Sequence, residues 1–252
     1  MAEDPHYYVA GYSVEDDPYS QPNGVLINYF GIDNTRDLEE IEATSAALGI
    51  QELLKQPPPE EFGVLTLRKI HYEIFCDVYP WAGEFRKVDI AKGETFFEAN
   101  TNIEGKLDEL FAAAKSKNFF TGQSVDDFAQ AAGEFLVELN RIHPFREGNG
   151  RTQRTLLSQM ALKAGYSIGW EGVSNDAMKR ACIDGLEGNP STMKRLLKVY
   201  LNPAPEELKK TWERLADPTE DGASIVKERA KEARAKHFGE DATPENKNKK
   251  QS

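Results

Sequence analysis

With 252 residues and a net charge of −11, the chain is long enough for one well-packed domain with appendages, and too acidic to track a phosphate backbone. Direct nucleic-acid binding is therefore not expected. No apolar run approaches the ~18 residues of a membrane span. The opening Met-Ala-Glu-Asp-Pro-His has neither the basic nor the apolar region of a leader. The expectation is no membrane and a cytoplasmic location, with export as an effector left open.

Residues 1–24 are rich in Asp, Pro, Tyr and Gly without periodicity, and read as an extended arm whose tyrosines pack on the body. From Asp37 to Lys55, Leu38, Ile41, Leu48 and Leu53 or Leu54 predict a helix, with Ser45 on the same face and Pro57-Pro58-Pro59 as its stop. Leu67, Ile70, Ile74 and Val78 mark the next helix, which Tyr79-Pro80-Trp81-Ala82-Gly83 ends. Between Phe85 and Phe97 the period changes to two, with Val88 and Ile90 alternating against Lys87, Asp89 and Ala91. Lys92-Gly93 supplies the turn of a short hairpin. An isolated two-stranded hairpin needs something to pack on or pair with.

Helices then follow from Ile103 to Ala114 and from a Ser124 cap, with Asp127 three residues on, through the stripe Phe128, Ala132, Phe135, Leu136, Leu139 and Ile142. Another runs from Arg151 to Ala164, and shorter ones span Ser174–Leu186 and Ser191–Tyr200. Beyond Pro203 the apolar stripe thins to Ile225, Val226, Ala230 and Ala233. A solvated helix over residues 223–237 with a disordered end is expected there. Charges balance over residues 203–252, so the whole −11 falls on residues 1–202. Cys76 and Cys182, both in helical apolar contexts, read as packed thiols rather than a disulfide.

The chemistry concentrates in His143-Pro-Phe-Arg-Glu-Gly-Asn-Gly-Arg-Thr-Gln-Arg154. Gly148 and Gly150 fall where a helix begins, so unpaired backbone N–H groups meet a backbone that an anion can approach closely. Arg151 and Arg154, three residues apart, share a helix face and offer two guanidinium forks. Glu147 would repel a phosphate unless a divalent cation lay between them, and magnesium is the usual bridge. A Mg-nucleotide is implied. His143, at the mouth of the turn, is the candidate proton acceptor at neutral pH. Alone, a His before Pro reads as a helix-end residue; its neighbours favour the base. Zinc is a poor fit because Pro144 and Gly148 break the helix that would align His143 with Glu147. The P-loop pattern and its lysine are missing.

These residues resemble the Fic signature, His-x-Phe-x-(Asp/Glu)-Gly-Asn-Gly-Arg-x-x-Arg, with every fixed position filled. The resemblance extends upstream through His71 and Phe75-Cys-Asp-Val-Tyr-Pro-Trp-Ala-Gly-Glu-Phe-Arg86, and downstream to about Tyr200. It implies a mainly α fold, a Fic-type helical bundle with a small β-hairpin flap. The expected division is an N-terminal arm and helix over residues 1–61, a Fic domain over 62–200 and a charged tail over 201–252. The resemblance also implies transfer of AMP from ATP to a hydroxyl of a target protein with release of pyrophosphate. His143 would be the base and Glu147 the Mg²⁺ ligand. Asn149 with the amides of Gly148 and Gly150 would cradle the α- and β-phosphates, and Arg151 and Arg154 would secure the β- and γ-phosphates. Thr152 and Gln153, between the arginines, are further nucleotide-contact candidates, and Lys92 and Gly93 of the flap would border the nucleotide.

In this family the flap also holds the target segment by strand addition. Kinase-type relatives place Lys where Gly150 stands here, and phosphocholine transfer is known on the scaffold, so Gly150 favours AMP transfer. A module that binds nucleotide without turnover is the alternative, against which the intact His143 argues. An inhibitory helix of the pattern Ser/Thr-x-x-x-Glu-Gly/Asn is matched by Ser167 to Gly172 with Glu171, but Gly169 weakens a helix there. The expectation is a separate small antitoxin supplying the glutamate, as in toxin-type members whose targets include the B subunits of gyrase and topoisomerase IV.

Overall fold

In the computed structural model, which describes residues 8–9, 17–93, 95–208 and 210, the first long helix, α1 (Thr35–Lys55), begins at Asn34. The Asn34 side chain accepts from the amides of Arg36 and Asp37 at 2.9 and 3.2 Å. The helix buries Leu38, Glu42, Ser45, Ala46 and Leu53, whereas Leu48 turns to solvent. At Gly49 the helix comes so close to α2 (Val64–Phe75) that a Cβ would stand 2.6 Å from the Glu73 carbonyl oxygen. The buried face keeps the expected Leu38, Ser45 and Leu53 and loses Leu48, and it carries a carboxylate.

After α2 come β2 (Ile90–Lys92), β3 (Thr95–Phe96) and α3 (Ile103–Ser116). Helix α4 (Val125–Ile142) leads into α5 (Asn149–Lys163), and α6 (Asn175–Leu186) and α7 (Ser191–Tyr200) complete the bundle. Ser124 caps α4 as expected, its Oγ accepting from the Asp127 amide at 3.3 Å and donating to the Asp127 carboxylate at 2.7 Å. Helix α4 is central: α3, α5, α6 and α7 all pack on it, while α1 and α2 lean on α5. Phe75, Phe128, Leu139, Phe145, Leu156 and Leu157 are buried to below 2 % exposure and form the middle of the core. Each such side chain contributes about 1.5–3 kcal/mol by leaving water.

Two features depart from the sequence reading. The hairpin is shorter than Phe85–Phe97 and is not isolated, because β1 (Tyr8–Val9) pairs antiparallel with the other edge of β2, giving the order β1-β2-β3. Strand pairing starts only at Ile90, since the Val88 carbonyl is taken by the Arg86 side chain. Alternation also fails at β2, where Ile90 and Ala91 are both buried. The second departure is a further antiparallel pair, β4 (Tyr166–Ile168) with β5 (Leu201–Pro203), which ties the end of α5 to the end of α7. The expected helix over residues 223–237 lies outside the described residues. Among those described, no helix is long and apolar enough to cross a membrane, and Cys76 and Cys182 form no disulfide.

Candidate active site

The turn between α4 and α5 is built by its own side chains. His143 ends α4 in the left-handed conformation (φ 49°, ψ 62°), its N–H returning to the Leu139 carbonyl at 3.1 Å. Asn149 then closes the loop: its Oδ1 accepts from the Phe145 amide at 2.9 Å and its Nδ2 donates to the Phe145 carbonyl at 2.7 Å. Phe145 is 1 % exposed and stacks on His71, ring centroids 3.8 Å apart. Gly148 (φ +81°) starts α5, and a Cβ there would collide with the Phe75 ring. The first amides of α5 have no carbonyl one turn back within the helix, which leaves an anion-attracting end.

His143 is 4 % exposed and covered by Phe97 of the flap, the rings stacked at 3.8 Å. Its Nδ1 lies 3.0 Å from the Asn140 carbonyl, which can only accept. The proton therefore sits on Nδ1 and the lone pair on Nε2. Burial pushes the pKa down to about 3, against the Asn140 hydrogen bond and with help from the charges of Arg86 and Lys92. At neutral pH the imidazole is a neutral base. Lys92 and Gly93 are exposed at the flap turn, with Gly93 at φ +56°.

Glu147 turns its carboxylate back on the motif, Oε1 accepting from the Gly148 amide at 2.8 Å with Arg151 at 3.7 Å. Desolvation and then the nearby charge of Glu42 raise its pKa. A cation would relieve both. A lone hard carboxylate beside a phosphate-attracting helix end fits magnesium, whose remaining ligands would be phosphate and water oxygens. Among the described residues no cluster of three or more His, Cys, Asp or Glu could hold a metal by itself.

Several sequence candidates have other employment. The Asn149 side chain is committed to Phe145, and Gln153 is buried with Nε2 donating to the Leu139 carbonyl at 3.3 Å. Thr152 is fully buried, its hydroxyl without a partner among the described residues. The Asn149 and Gln153 side chains brace the turn, and that of Thr152 is buried away from its surface. Arg151 is held from α1: its Nη2 meets Glu42 Oε1 at 2.5 Å and its guanidinium lies over the Phe75 ring at 4.8 Å. Tyr79 donates to the other Glu42 oxygen. The Arg154 guanidinium folds over Gly150, with Nη1 3.1 Å from where a Cβ would stand. Its charge is felt at Cys182 of α6. Glu171 is exposed, its carboxylate 3.3 Å from the Cβ position of Gly169.

Four residues support the site, of which Asp17 and Glu42 were not anticipated, whereas His71 and Arg86 were named only within the resemblance, without a role. Asp17 forms a buried ion pair with Arg146 at 2.9 Å. Glu42 holds Arg151, His71 braces the turn and Arg86 lies beneath the flap. His71 accepts from the Gly83 amide at Nδ1 (2.8 Å) and meets the Glu147 carbonyl at Nε2 (3.0 Å), so the pre-flap turn and the metal-candidate residue share one imidazole. Glu42 had a visible signal, being a charge four residues after Leu38 within the stripe of α1.

The Fic/DOC family, compared as a sequence model, matches residues 62–161. Protein adenylyltransferase VbhT of Bartonella schoenbuchensis is 38% identical over 188 residues, which are 74% of this chain and 39% of that protein. The chain thus spans well under half the length of VbhT. A probable protein adenylyltransferase Fic of Salmonella typhimurium is 30% identical over 75% of this chain and 94% of its own length. Among solved structures, the BepC protein of Bartonella tribocorum with bound AMPPNP superposes with a TM-score of 0.70 at 26% identity, covering 74% of this chain and 97% of that one. The N-terminal Fic domain of a putative cell filamentation protein from Bartonella quintana, with bound ADP, gives 0.68 at 31% identity over 76% and 97%. The signature seen in the sequence, the α4–turn–α5 geometry and these relatives agree, and the chain belongs to the Fic/DOC family.

Proposed function

We propose that this chain is a protein adenylyltransferase that moves AMP from ATP to a side-chain hydroxyl of a target protein. The observation that carries the reading is His143: a buried, neutral imidazole with its lone pair on Nε2, in the turn that leads into the N-terminus of α5. The hydroxyl proton passes to Nε2 as the oxygen attacks the α-phosphorus, and the bond to the bridging oxygen breaks to release pyrophosphate. The amides at the start of α5 and the guanidinium of Arg154 receive the phosphates, and Lys92 and Gly93 border them from the flap. Magnesium, when bound at Glu147, neutralises phosphate charge. Phe97 keeps water from the base. The names of VbhT and of the Salmonella relative, both adenylyltransferases, support the same reaction.

A target segment would dock along the flap. The resemblance supports the B subunits of gyrase or topoisomerase IV as the target class, and a separate small protein as the source of an inhibitory glutamate. The exposed position of Glu171 is consistent with the latter. The test is incubation of the purified chain with magnesium and ATP labelled at either the α- or the γ-phosphate in a bacterial lysate. Protein should take label from α only, and His143→Ala should take none while still binding ATP. Label transferred from the γ-phosphate would make the protein a kinase and end the proposal.

A further inference from the structure

Arg86 lies between α2 and β2, 2 % exposed, with its guanidinium fully out of water. Its hydrogen bonds fall on two sides. Toward the catalytic turn, its own N–H donates to the Pro144 carbonyl at 2.9 Å, Nε to the His143 carbonyl at 2.9 Å and Nη2 to the Ile142 carbonyl at 3.2 Å. Toward the flap, Nη1 donates to the Val88 carbonyl at 2.8 Å and Nη2 also to that of Glu98. Val88 and Glu98 are the two legs of the hairpin, one just before β2 and one just after β3. The same legs are held by Asp89, which accepts from the Asn100 amide at 2.7 Å, and by the Glu98 amide on the Arg141 carbonyl at 3.1 Å.

The last carbonyls of α4 have no partner in their own helix, and the left-handed turn at His143 sends them into the interior. A planar fork with five donors satisfies the carbonyls of Ile142 and His143 and spans to the flap at once. A lysine ammonium, compact and on a flexible stem, cannot reach both sides. We propose that Arg86 is a positioning residue for the transfer, fixing His143 in its left-handed conformation and holding the flap at a set height above the imidazole. A hydroxyl presented along the flap then meets Nε2 in line. The inference rests on the adenylyl-transfer reading above, because it concerns how the acceptor reaches the base.

The test compares Arg86→Lys with wild type in four measurements: thermal midpoint, ATP affinity, kcat and KM for AMP transfer to a protein acceptor, and hydrogen exchange at the Phe97 and Glu98 amides. The folded variant should bind ATP within about threefold of wild type, lose about a hundredfold in kcat, and exchange both flap amides faster. A folded Arg86→Lys protein with kcat within threefold of wild type overturns the proposal. So does a loss of ATP affinity in step with kcat, which would make Arg86 general support for the motif. Asp89→Ala covers the case of a variant that does not fold, since Asp89 is half exposed and its loss releases the Asn100 amide on the flap side and a 3.7 Å ion pair with Arg86 while leaving the Arg86 bonds to the catalytic turn in place. It should reduce kcat several-fold with ATP affinity kept, and an unchanged kcat and unchanged exchange there also count against the proposal. A wild-type protein that transfers no AMP removes the underlying reading, whereas an active wild type with an equally active Arg86→Lys removes this inference alone.

Discussion

Acid should destabilise this protein well above the pH at which carboxylates titrate, because two neutral histidines are sealed in its interior. Burial holds both His71 and His143 down to about 3, against an unfolded-state value of about 6.5. Between those values the unfolded chain binds protons that the folded chain refuses, so stability is full above pH 6.5 and falls as the pH drops toward 3. At pH 5.5 an unfolded-state histidine is protonated in a ratio of about ten to one, and RT ln 11 is about 1.4 kcal/mol per site; at pH 7.5 the same expression is below ~0.1. Two sites give about 2.7 kcal/mol over those two pH units, equivalent to roughly 5–10 °C in Tm for a chain of this size. Any folded-state value below about 4.5 gives the same figure. Glu147, whose pKa is raised, works in the opposite direction, so the decisive quantity is the difference between variants. Denaturant melts at pH 7.5 and 5.5 and constant ionic strength should show that His143→Ala and His71→Asn each lose about 1.4 kcal/mol less than wild type between the two conditions. If all three proteins lose the same amount, the histidines are not sealed and the reasoning fails.

Other outcomes follow from the same geometry. Arg154→Ala should weaken ATP binding by ten- to a hundredfold and AMP binding far less, because a lost charge-assisted contact to an outer phosphate is worth about 1.5–3 kcal/mol; calorimetry with both nucleotides decides, and equal weakening removes the assignment. Glu147→Gln should abolish the magnesium dependence of ATP binding, and a retained dependence would move the metal elsewhere. Asp17→Ala leaves the Arg146 guanidinium buried without its carboxylate and should cost about 3–5 kcal/mol in urea unfolding; a loss below ~1 kcal/mol would mean that water reaches the pair. Glu171→Ala should leave the transfer rate nearly unchanged, whereas activation by orders of magnitude would identify an internal brake.

The parts of this fold that were legible in the sequence are those with local physics. The Phe128 to Ile142 stripe, the Ser124 cap and the Ser191–Tyr200 helix were readable because periodicity and capping act within a few residues. The motif was readable because its residue types converge in one turn. What escaped depends on distance along the chain. Strands of two or three residues, such as β1, β4 and β5, are too short to show a period, and their pairing is decided by what lies across the sheet. Asp17 with Arg146 and Glu42 with Arg151 are separated by more than a hundred residues and leave no spacing to read. The resemblance assigned Asn149 to phosphate, but its reciprocal bonds to Phe145 show an amide used as a backbone surrogate.

The family span begins at residue 62, yet two of its guanidiniums are neutralised from outside it, Arg146 by Asp17 and Arg151 by Glu42. The stretch that is recognisable by its signature is thus smaller than the stretch that is electrically closed. Grafting residues 62–161 onto another chain, or starting expression at residue 62, would carry along the buried Arg146 without Asp17 and leave Arg151 with the more distant Glu147 in place of Glu42. A module boundary drawn by charge neutrality falls before Asp17, and any transplant of this catalytic unit has to cut there.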